Sequence, residues 1–274
     1  MTTTAASGLG VRDRYGDDAL PPLSLTNETL AVQLAHRSVR SFLPDPVGEE
    51  HLEALVAAAQ SAPTSSNLQA WSVVAIRNRA RKSRLAALAA EQGFVDEAPL
   101  LLVWLADLGR ARRLAERHGR PLDGADYLES TFLGFLDATL AAQNAVVAAE
   151  SLGLGTVCVG AIRNHPEEVA RELDLPPHVF AVFGLAVGWP DPAEHSGVKP
   201  RLPQSAVLHR ERYDAPRADA EIDGYDERLR AYNRGHGLTG DWTERVLRRL
   251  EGPGSLAGRD RIREALVGLG LPSR

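Results

Sequence analysis

The chain has 274 residues, of which 44% are hydrophobic and 24% are charged, so it is long enough to bury a core and has the composition of an ordinary globular domain. Its formal net charge of -5 argues against a protein built to coat nucleic acid. Cys158 is the single cysteine, which excludes an intrachain disulfide and fits a cytoplasmic location. No secretory or membrane segment is predicted, because the longest strand-like apolar run, Leu100 to Ala106, is too short to span a bilayer.

Three segments are predicted along the chain. Residues 1–25 are rich in Thr, Ala, Gly, Asp and Pro and lack periodicity, so they are expected to form a mobile extension that orders against a partner subunit. Residues 26–215 are expected to form the core. Residues 216–274 carry helical patterns and are expected to extend the same domain.

The first half of the chain predicts helices separated by two strand-like runs. The predicted elements are a helix from Asn27 to about Arg37, a helix from Glu49 to Gln60, a strand from Ser72 to Arg77, a helix from Arg79 to Gln92 and a strand from Leu100 to Ala106. Asn27 has the side chain of an N-cap, and Pro63 stops the second helix. The second strand is apolar throughout, which indicates burial on both faces.

A long apolar helix is predicted in the middle of the chain. It runs from Tyr127 to Leu152 and is apolar nearly all round, so it is either the spine of the monomer or a dimer seam. The preceding basic stretch, Arg110 to Arg120, predicts a solvated helix rather than a nucleic-acid site, because the whole chain is acidic. Gly153 and Gly155 follow the long helix and precede a strand. This order is the reverse of a dinucleotide-binding fingerprint, so it predicts a helix C-cap and disfavours a Rossmann fold.

The remaining elements complete the predicted sheet. They are a strand-like run from Thr156 to Val159, a short helix capped by Asn164, a buried strand from Val179 to Val187, and helices from Ile222 to Tyr232 and from Trp242 to Leu250. Four short strands among longer helices predict an α+β fold, a mixed β-sheet with helices on both faces. Cys158 lies in the first run, where a buried and inert thiol is expected.

Two cationic segments point to a phosphorylated cofactor. The first, His36 to Phe42, holds two arginines and two serines at the end of a predicted helix, and the second, Lys199 to Pro203, lies between prolines. Guanidinium groups suit phosphate oxygens, and serine hydroxyls complete such a site. The alternative is a solvated helix end whose basic residues are favoured by the helix dipole. No hydrolytic constellation or histidine spacing for a metal is found, so a cofactor is expected to carry the reaction.

The first segment also opens an ordered series of motifs that resembles the FMN-dependent nitroreductase family, in its NADPH-dependent branch of oxygen-insensitive nitroreductases and NADPH:FMN flavin reductases. The later motifs are Asp45-Pro46-Val47, Ser61 to Gln69, Ala142 to Ala145, Ala149 to Gly155, Val159 to Asn164, Phe183 to Pro190 and Lys199 to Pro203. The resemblance covers about Leu34 to Tyr213. It implies the nitroreductase-like fold, a homodimer with FMN at the subunit boundary, and NADPH as reductant, with NADH not excluded.

The resemblance also implies site residues. The flavin-binding positions are His36, Arg37, Ser38, Arg40, Thr64, Ser65, Ser66, Gln69, Gln92, Val159, Gly160, Ala161, Arg163, Lys199 and Arg201. Among them, Lys199 and Arg201 match phosphate anchors, and the backbone of Gly160 matches the segment beside the reactive ring edge, so no side chain is assigned a catalytic role. Arg234, helped by Arg40, matches an arginine used on the NADPH 2′-phosphate; the alternative is a loop arginine without that role.

The implied activity is a two-step reduction, by hydride transfer through FMN, of a nitroaromatic, quinone or flavin, which makes the partner a small aromatic electron acceptor. Two alternatives stay open: a flavin reductase that supplies reduced FMN to a monooxygenase, and a flavin-binding or redox-sensing module without turnover. The chain departs from the family pattern at Cys158, Ala161 and Leu250 to Ser255. The last stretch lacks a Lys and an Arg that relatives use on nucleotide or substrate, which leaves the NADPH preference open.

Overall fold

The structure is a computed structural model that describes residues 10–272 and residue 274. Its internal contacts divide the chain into two compact units. Unit 1 consists of residues 1–37 and 195–255, and unit 2 consists of residues 38–194 and 256–274. The segment boundaries at residues 25 and 215 stay a prediction. The first nine residues of the predicted N-terminal extension lie outside the described part of the chain.

The secondary structure is mainly helical. The helices are, in chain order, α1 (Val11–Tyr15), α2 (Glu28–Ala35), α3 (Glu49–Gln60), α4 (Arg79–Leu88), α5 (Gly93–Glu97), α6 (Gly109–Arg117), α7 (Leu128–Ser151), α8 (Pro166–Glu172), α9 (Gln204–Val207), α10 (Ala215–Asp219), α11 (Ile222–Gly235), α12 (Trp242–Leu250) and α13 (Ile262–Gly268). The strands are β1 (Trp71–Ile76), β2 (Leu100–Asp107), β3 (Gly155–Val159) and β4 (Val179–Gly188). Short 3-10 turns cover Ser65–Asn67, Asp123–Asp126, Gly160–Asn164, Pro253–Leu256 and Arg259–Arg261.

Unit 2 contains the β-sheet, with strand order β1-β2-β4-β3. The three strand pairings in this order are antiparallel. A parallel contact occurs at the isolated bridge between Ser38 and Thr156. The α+β class predicted from the sequence is confirmed. The sheet formed by β1 to β4 is antiparallel rather than mixed, so that part of the prediction was wrong.

Helices cover both faces of this sheet, as predicted. Alternate side chains of β2 point to opposite faces because a strand has a two-residue period. Leu100, Leu102 and Trp104 belong to a core cluster with buried residues of α3 and α7. Leu101, Val103 and Leu105 belong to a second cluster with buried residues of α4 and α8. The burial of β2 on both faces is therefore confirmed.

Helix α7 has the length and apolarity of a membrane span by composition alone. One face of the helix is nevertheless packed inside unit 2, where Ala138, Ala141, Ala145 and Ala149 join the core beneath the sheet. The small side chains let the helix lie close to β2 and α3. This packing is that of a core helix.

Several element boundaries are confirmed. Helices α3 and α12 match their predicted limits, and the Asn27 side chain accepts a hydrogen bond of 2.8 Å from the Leu30 N–H at the start of α2. Gly153 has a φ of 84° after α7, which is the left-handed conformation of a helix C-terminus.

Two local predictions were wrong. The helix predicted to reach Gln92 ends at Leu88, because Ala90 and Glu91 adopt positive φ angles, and a separate helix, α5, follows. The N-cap of α8 is His165 rather than Asn164, and Pro166 occupies the first turn. Asn164 instead ends the preceding 3-10 turn and is buried.

Unit 1 is built around α11. Tyr225 of this helix donates a hydrogen bond of 3.0 Å to the Pro200 carbonyl. The buried Asp226 carboxylate accepts hydrogen bonds from the backbone N–H groups of Trp242 (2.9 Å) and Thr243 (3.1 Å), at the start of α12. Helix α11 therefore holds both the 197–201 loop and α12.

Candidate functional site

The first predicted cationic segment begins where α2 ends. Helix α2 stops at Ala35, and His36 leaves the helical conformation with a ψ of 130°. The Arg37 guanidinium donates a hydrogen bond to the hydroxyl of Ser196. This bond ties the start of the segment to the loop that carries the second cationic segment, 159 positions further along the chain; both partners belong to unit 1.

The second segment is held by aromatic and backbone contacts. The Lys199 ammonium lies 5.6 Å from the centre of the Tyr232 ring, within the range of a cation–π contact. The Tyr232 hydroxyl donates a hydrogen bond of 2.9 Å to the Gly197 carbonyl. Arg201 is exposed, and its guanidinium donates to the Lys199 carbonyl at 3.1 Å.

The two segments are also joined through Arg14, whose guanidinium donates to the carbonyls of His36 at 2.5 Å and of Lys199 at 3.1 Å. Arg14 thus brings the backbone at His36 close to the backbone at Lys199 within unit 1. Arg234 is exposed in the last turn of α11, and its assignment to NADPH stays a prediction.

In unit 2, the Ser-rich loop from Thr64 to Gln69 has an unusual backbone. Ser66, Asn67 and Gln69 all have φ angles between 49° and 56°, in the left-handed region that non-glycine residues rarely adopt. The loop is held at both ends by Asp137 of α7. Its carboxylate accepts hydrogen bonds from the backbone N–H groups of Ser65 at 3.1 Å and of Ala70 at 2.9 Å.

Asp137 was missed at the sequence level. Its side chain is 1% exposed, although it lies on a helix described from the sequence as apolar nearly all round. A single acidic residue on the buried face of such a helix is the signal that could have found it, because a buried carboxylate needs partners. The basic helix α6 also supplies a partner: Arg110 donates to the Gln69 carbonyl at 2.9 Å, so this arginine is not merely solvated.

The predicted ring-facing segment follows β3. Gly160 opens a 3-10 turn, and a Cβ at this position would lie 3.6 Å from Arg163 Nη2 and 3.8 Å from Arg259 Nη1. Two guanidinium groups of unit 2 therefore border the position. Arg163 also donates a hydrogen bond to the Val182 carbonyl. Val159 is buried at the end of the strand, and Ala161 is half-buried.

Arg259 was not predicted from the sequence. The stretch from Leu250 to Ser255 lacks the expected cations, but Arg259 lies only a few residues beyond it, in the last part of unit 2. Its guanidinium donates to the Leu256 carbonyl at 2.8 Å, which folds the side chain back along its own turn. Motif positions in the sequence do not identify Arg259, because the connection that precedes it is irregular.

Three further predicted flavin-binding residues of unit 2 are Ser38, Arg40 and Gln92, which lie outside the Ser-rich loop. Ser38 pairs with Thr156 beside β3, and the Arg40 backbone N–H donates to Glu194 Oε1 at 2.8 Å. The Gln92 carbonyl accepts from Val95 as α5 begins. Their roles as flavin contacts stay predictions.

Cys158 is exposed on β3, so the prediction of a buried thiol was wrong. The pKa of the thiol is nevertheless raised, first by loss of hydration in its surroundings and then by the nearby Glu150 carboxylate. A raised pKa keeps the sulfur protonated near neutral pH, and the thiol is the weaker nucleophile.

The chain matches two family models. The model described as Nitroreductase family covers residues 34–189, and the model described as Nitroreductase family, C-terminal domain, covers residues 199–274. It is 40% identical over 225 residues to an FMN reductase [NAD(P)H] of Bacillus subtilis, which is 80% of this chain and 90% of that protein. It is 38% identical over 225 residues to the oxygen-insensitive NADPH nitroreductase of Salmonella typhimurium, 81% of this chain and 90% of that protein.

A solved structure is also similar. The NADPH:FMN oxidoreductase of Vibrio harveyi, determined in complex with NAD+, superposes with a TM-score of 0.80 at 34% identity. The superposition covers 90% of this chain and 100% of that chain. A tenth of this chain therefore has no counterpart in that structure.

Replacing Asp137 with Asn tests its hold on the Ser-rich loop. The variant keeps the shape of the side chain but loses the charge and one of the two acceptor oxygens, so one backbone N–H is left without its acceptor. We expect a loss of about 1.5–3 kcal/mol in the free energy of unfolding, measured with urea. Glu129→Gln, on the exposed first turn of the same helix, is the control and should cost less, about 0.5 kcal/mol, because only the interaction of its charge with the helix dipole is lost. Equal stabilities for Asp137→Asn and the wild type would contradict the role.

Proposed function

Because this chain belongs to the nitroreductase family, we propose that it uses FMN and NADPH to reduce nitroaromatics, quinones or free flavins in two successive steps. The observation that carries the proposal is the joining of the two cationic segments in unit 1 through Arg14 and through the Arg37–Ser196 hydrogen bond. The matched relatives support it, since their names include both FMN reductases and a nitroreductase.

The donors of unit 1 fit the phosphate of FMN. Arg37 presents a planar fork of N–H groups and Lys199 a point charge, the two side-chain types that bind phosphate most readily. Arg201 and His36 belong to the same two segments. In this proposal these four residues hold the phosphate, and a dianionic ligand offsets the repulsion among the grouped cations.

The residues around Gly160 fit the ring of a flavin. The absence of a Cβ permits close approach to the backbone, and the guanidinium groups of Arg163 and Arg259 border the position. Fixed positive charge there would stabilise the negative charge that a flavin gains on reduction. Thr64, Ser65, Ser66, Gln69, Gln92, Ser38 and Arg40 keep their proposed contacts with the flavin.

FMN bound by these residues would supply the two-electron chemistry that links hydride donation by NADPH to reduction of the acceptor. The residues named above bind and orient it, and none of them acts as a nucleophile. Since NADP+ must leave before the acceptor binds to the same face, a ping-pong rate law is expected. The cytoplasm, which supplies reduced nicotinamide nucleotides, is the proposed location.

Anaerobic titration of the FMN-loaded protein tests the activity. We expect the flavin absorbance band to bleach with one equivalent of NADPH per FMN, because one hydride carries two electrons, and to return when a nitroarene or quinone is added. A yellow protein that neither NADPH nor NADH bleaches would instead support a flavin-binding or sensing module. A protein that takes up no FMN would contradict the proposal.

The same preparation separates the two enzymatic candidates. A flavin reductase that serves a monooxygenase should turn over free FMN rapidly and nitroarenes poorly. Comparable kcat/KM values for both acceptor classes would favour the broader activity. The relatives include an FMN reductase and a nitroreductase, and so support both candidates.

The NADPH contact proposed for Arg234 has its own test. Replacing it with Ala removes a cation that would bind the 2′-phosphate, which NADH lacks. We expect KM for NADPH to rise about tenfold or more, the effect of losing one charge-assisted hydrogen bond, and KM for NADH to stay unchanged. An unchanged ratio of the two KM values would remove Arg234 from the site, and with it the proposed preference for NADPH through this residue.

A homodimer is also proposed, supported by an exposed apolar stripe on α7. Leu128, Phe132, Leu136 and Leu140 recur every four residues, and each is exposed to between 39% and 57%. This spacing places them on one face of the helix. A continuous apolar face of this kind marks an interaction surface, and a second copy of the chain is the proposed occupant.

Replacing Leu136 with Glu tests the dimer. A charge in the middle of the stripe would be buried without a partner on association, so the variant should run as a monomer when its mass is measured by light scattering. Leu114→Glu is the control, because Leu114 is an exposed leucine on the basic helix α6. A wild type that is itself monomeric would contradict the proposed dimer, and a dimeric Leu136→Glu would remove the stripe from the interface.

A further inference from the structure

A short helix near the N-terminus carries a buried cation. Helix α1 has five residues and ends at Tyr15, and its C-cap Gly16 adopts the left-handed conformation. Its Arg14 side chain is only 7% exposed. A guanidinium group so deeply buried requires hydrogen-bond partners, and the identity of those partners indicates its role.

The first partners are carbonyls at the end of α2. Arg14 donates to the Leu34 carbonyl at 2.8 and 3.2 Å, and to the His36 carbonyl at 2.5 Å. The last carbonyls of a helix receive no hydrogen bond from within the helix, and they form the negative end of its dipole. A cation is therefore stabilised there. Arg14 thereby fixes the point at which the chain leaves α2 and enters the first cationic segment.

The remaining partners are in the second cationic segment. Arg14 donates to the Lys199 carbonyl at 3.1 Å, and the Arg14 carbonyl accepts a hydrogen bond of 2.9 Å from the Arg201 N–H. The loop also lies against the end of α1, since a Cβ on Gly16 would come within 3.0 Å of the Pro200 side chain. The Arg14 side chain, the Arg14 carbonyl and Gly16 therefore all contact the loop from Lys199 to Arg201.

We propose that Arg14 is a positioning residue for the phosphate-binding side chains, holding His36 and Arg37 beside Lys199 and Arg201. This inference rests on the proposed function, because it assigns a phosphate to these cations. Its hydrogen bonds to the carbonyls of Leu34, His36 and Lys199 order the backbone of both segments. The family models begin at residue 34, so Arg14 lies in a segment that they do not cover.

The binding of FMN and of riboflavin, measured by quenching of flavin fluorescence, tests this role, because riboflavin is the same ring system without the phosphate. For Arg14→Ala, we expect the Kd for FMN to rise about tenfold or more and the Kd for riboflavin to stay within about twofold. Arg12→Ala is the matched control: Arg12 is on the same helix and donates to the Leu20 carbonyl instead. It should leave both Kd values unchanged.

A purely structural role predicts a different result, in which both Kd values rise together or neither changes, and either outcome would overturn the inference. If Arg14→Ala does not fold, Arg14→Lys decides. A single ammonium keeps the charge but lacks the fork needed to reach all three carbonyls, so the FMN-specific loss should persist at a smaller size. An unchanged ratio of the two Kd values in Arg14→Lys would likewise overturn the inference.

The wild type provides the separate check on the proposed function. If it binds riboflavin as tightly as FMN, the phosphate assignment fails, and the role of Arg14 fails with it. If it prefers FMN and Arg14→Ala keeps that preference, only the inference on Arg14 fails.

Discussion

The predicted site depends on irregular backbone whose polar groups must be hydrogen-bonded away from water. In each unit, one buried charged side chain supplies hydrogen bonds to such polar groups. In unit 1 the Arg14 guanidinium bonds carbonyls of two distant segments, and in unit 2 the Asp137 carboxylate bonds N–H groups at both ends of the Ser-rich loop. The two side chains have opposite charge because the cationic segments offer carbonyl acceptors to Arg14, whereas the Ser-rich loop offers N–H donors to Asp137.

In this arrangement, the residues that hold the loops differ from the residues proposed to bind the flavin. Most residues proposed to contact the flavin lie in loops and short 3-10 turns, whereas the charged side chains that hold those segments, Arg14 and Asp137, lie on helices. A cluster of cations would otherwise be driven apart by mutual repulsion. Backbone hydrogen bonds to Arg14 and the contact of Lys199 with Tyr232 hold these cations in place.

Regular elements were predictable from the sequence because periodicity and cap residues are local signals. The limits of α3 and α12 and the N-cap Asn27 follow from such signals. Positive φ angles at Ala90 and Glu91, which end α4 early, have no comparable signal in non-glycine residues. Asp137, Arg14 and Arg259 were missed for a related reason. Each acts through tertiary contacts with backbone or with a neighbouring turn, and motif spacing does not record such contacts.

A crystal structure of the protein with FMN bound tests the central claim most directly. The account predicts that the phosphate oxygens lie within about 3 Å of nitrogen donors from both cationic segments, with Arg37 on one side and Lys199 or Arg201 on the other. It also predicts that the Arg14 guanidinium stays on the carbonyls of His36 and Lys199. A phosphate bound elsewhere, with these cations pointing into solvent, would contradict the account.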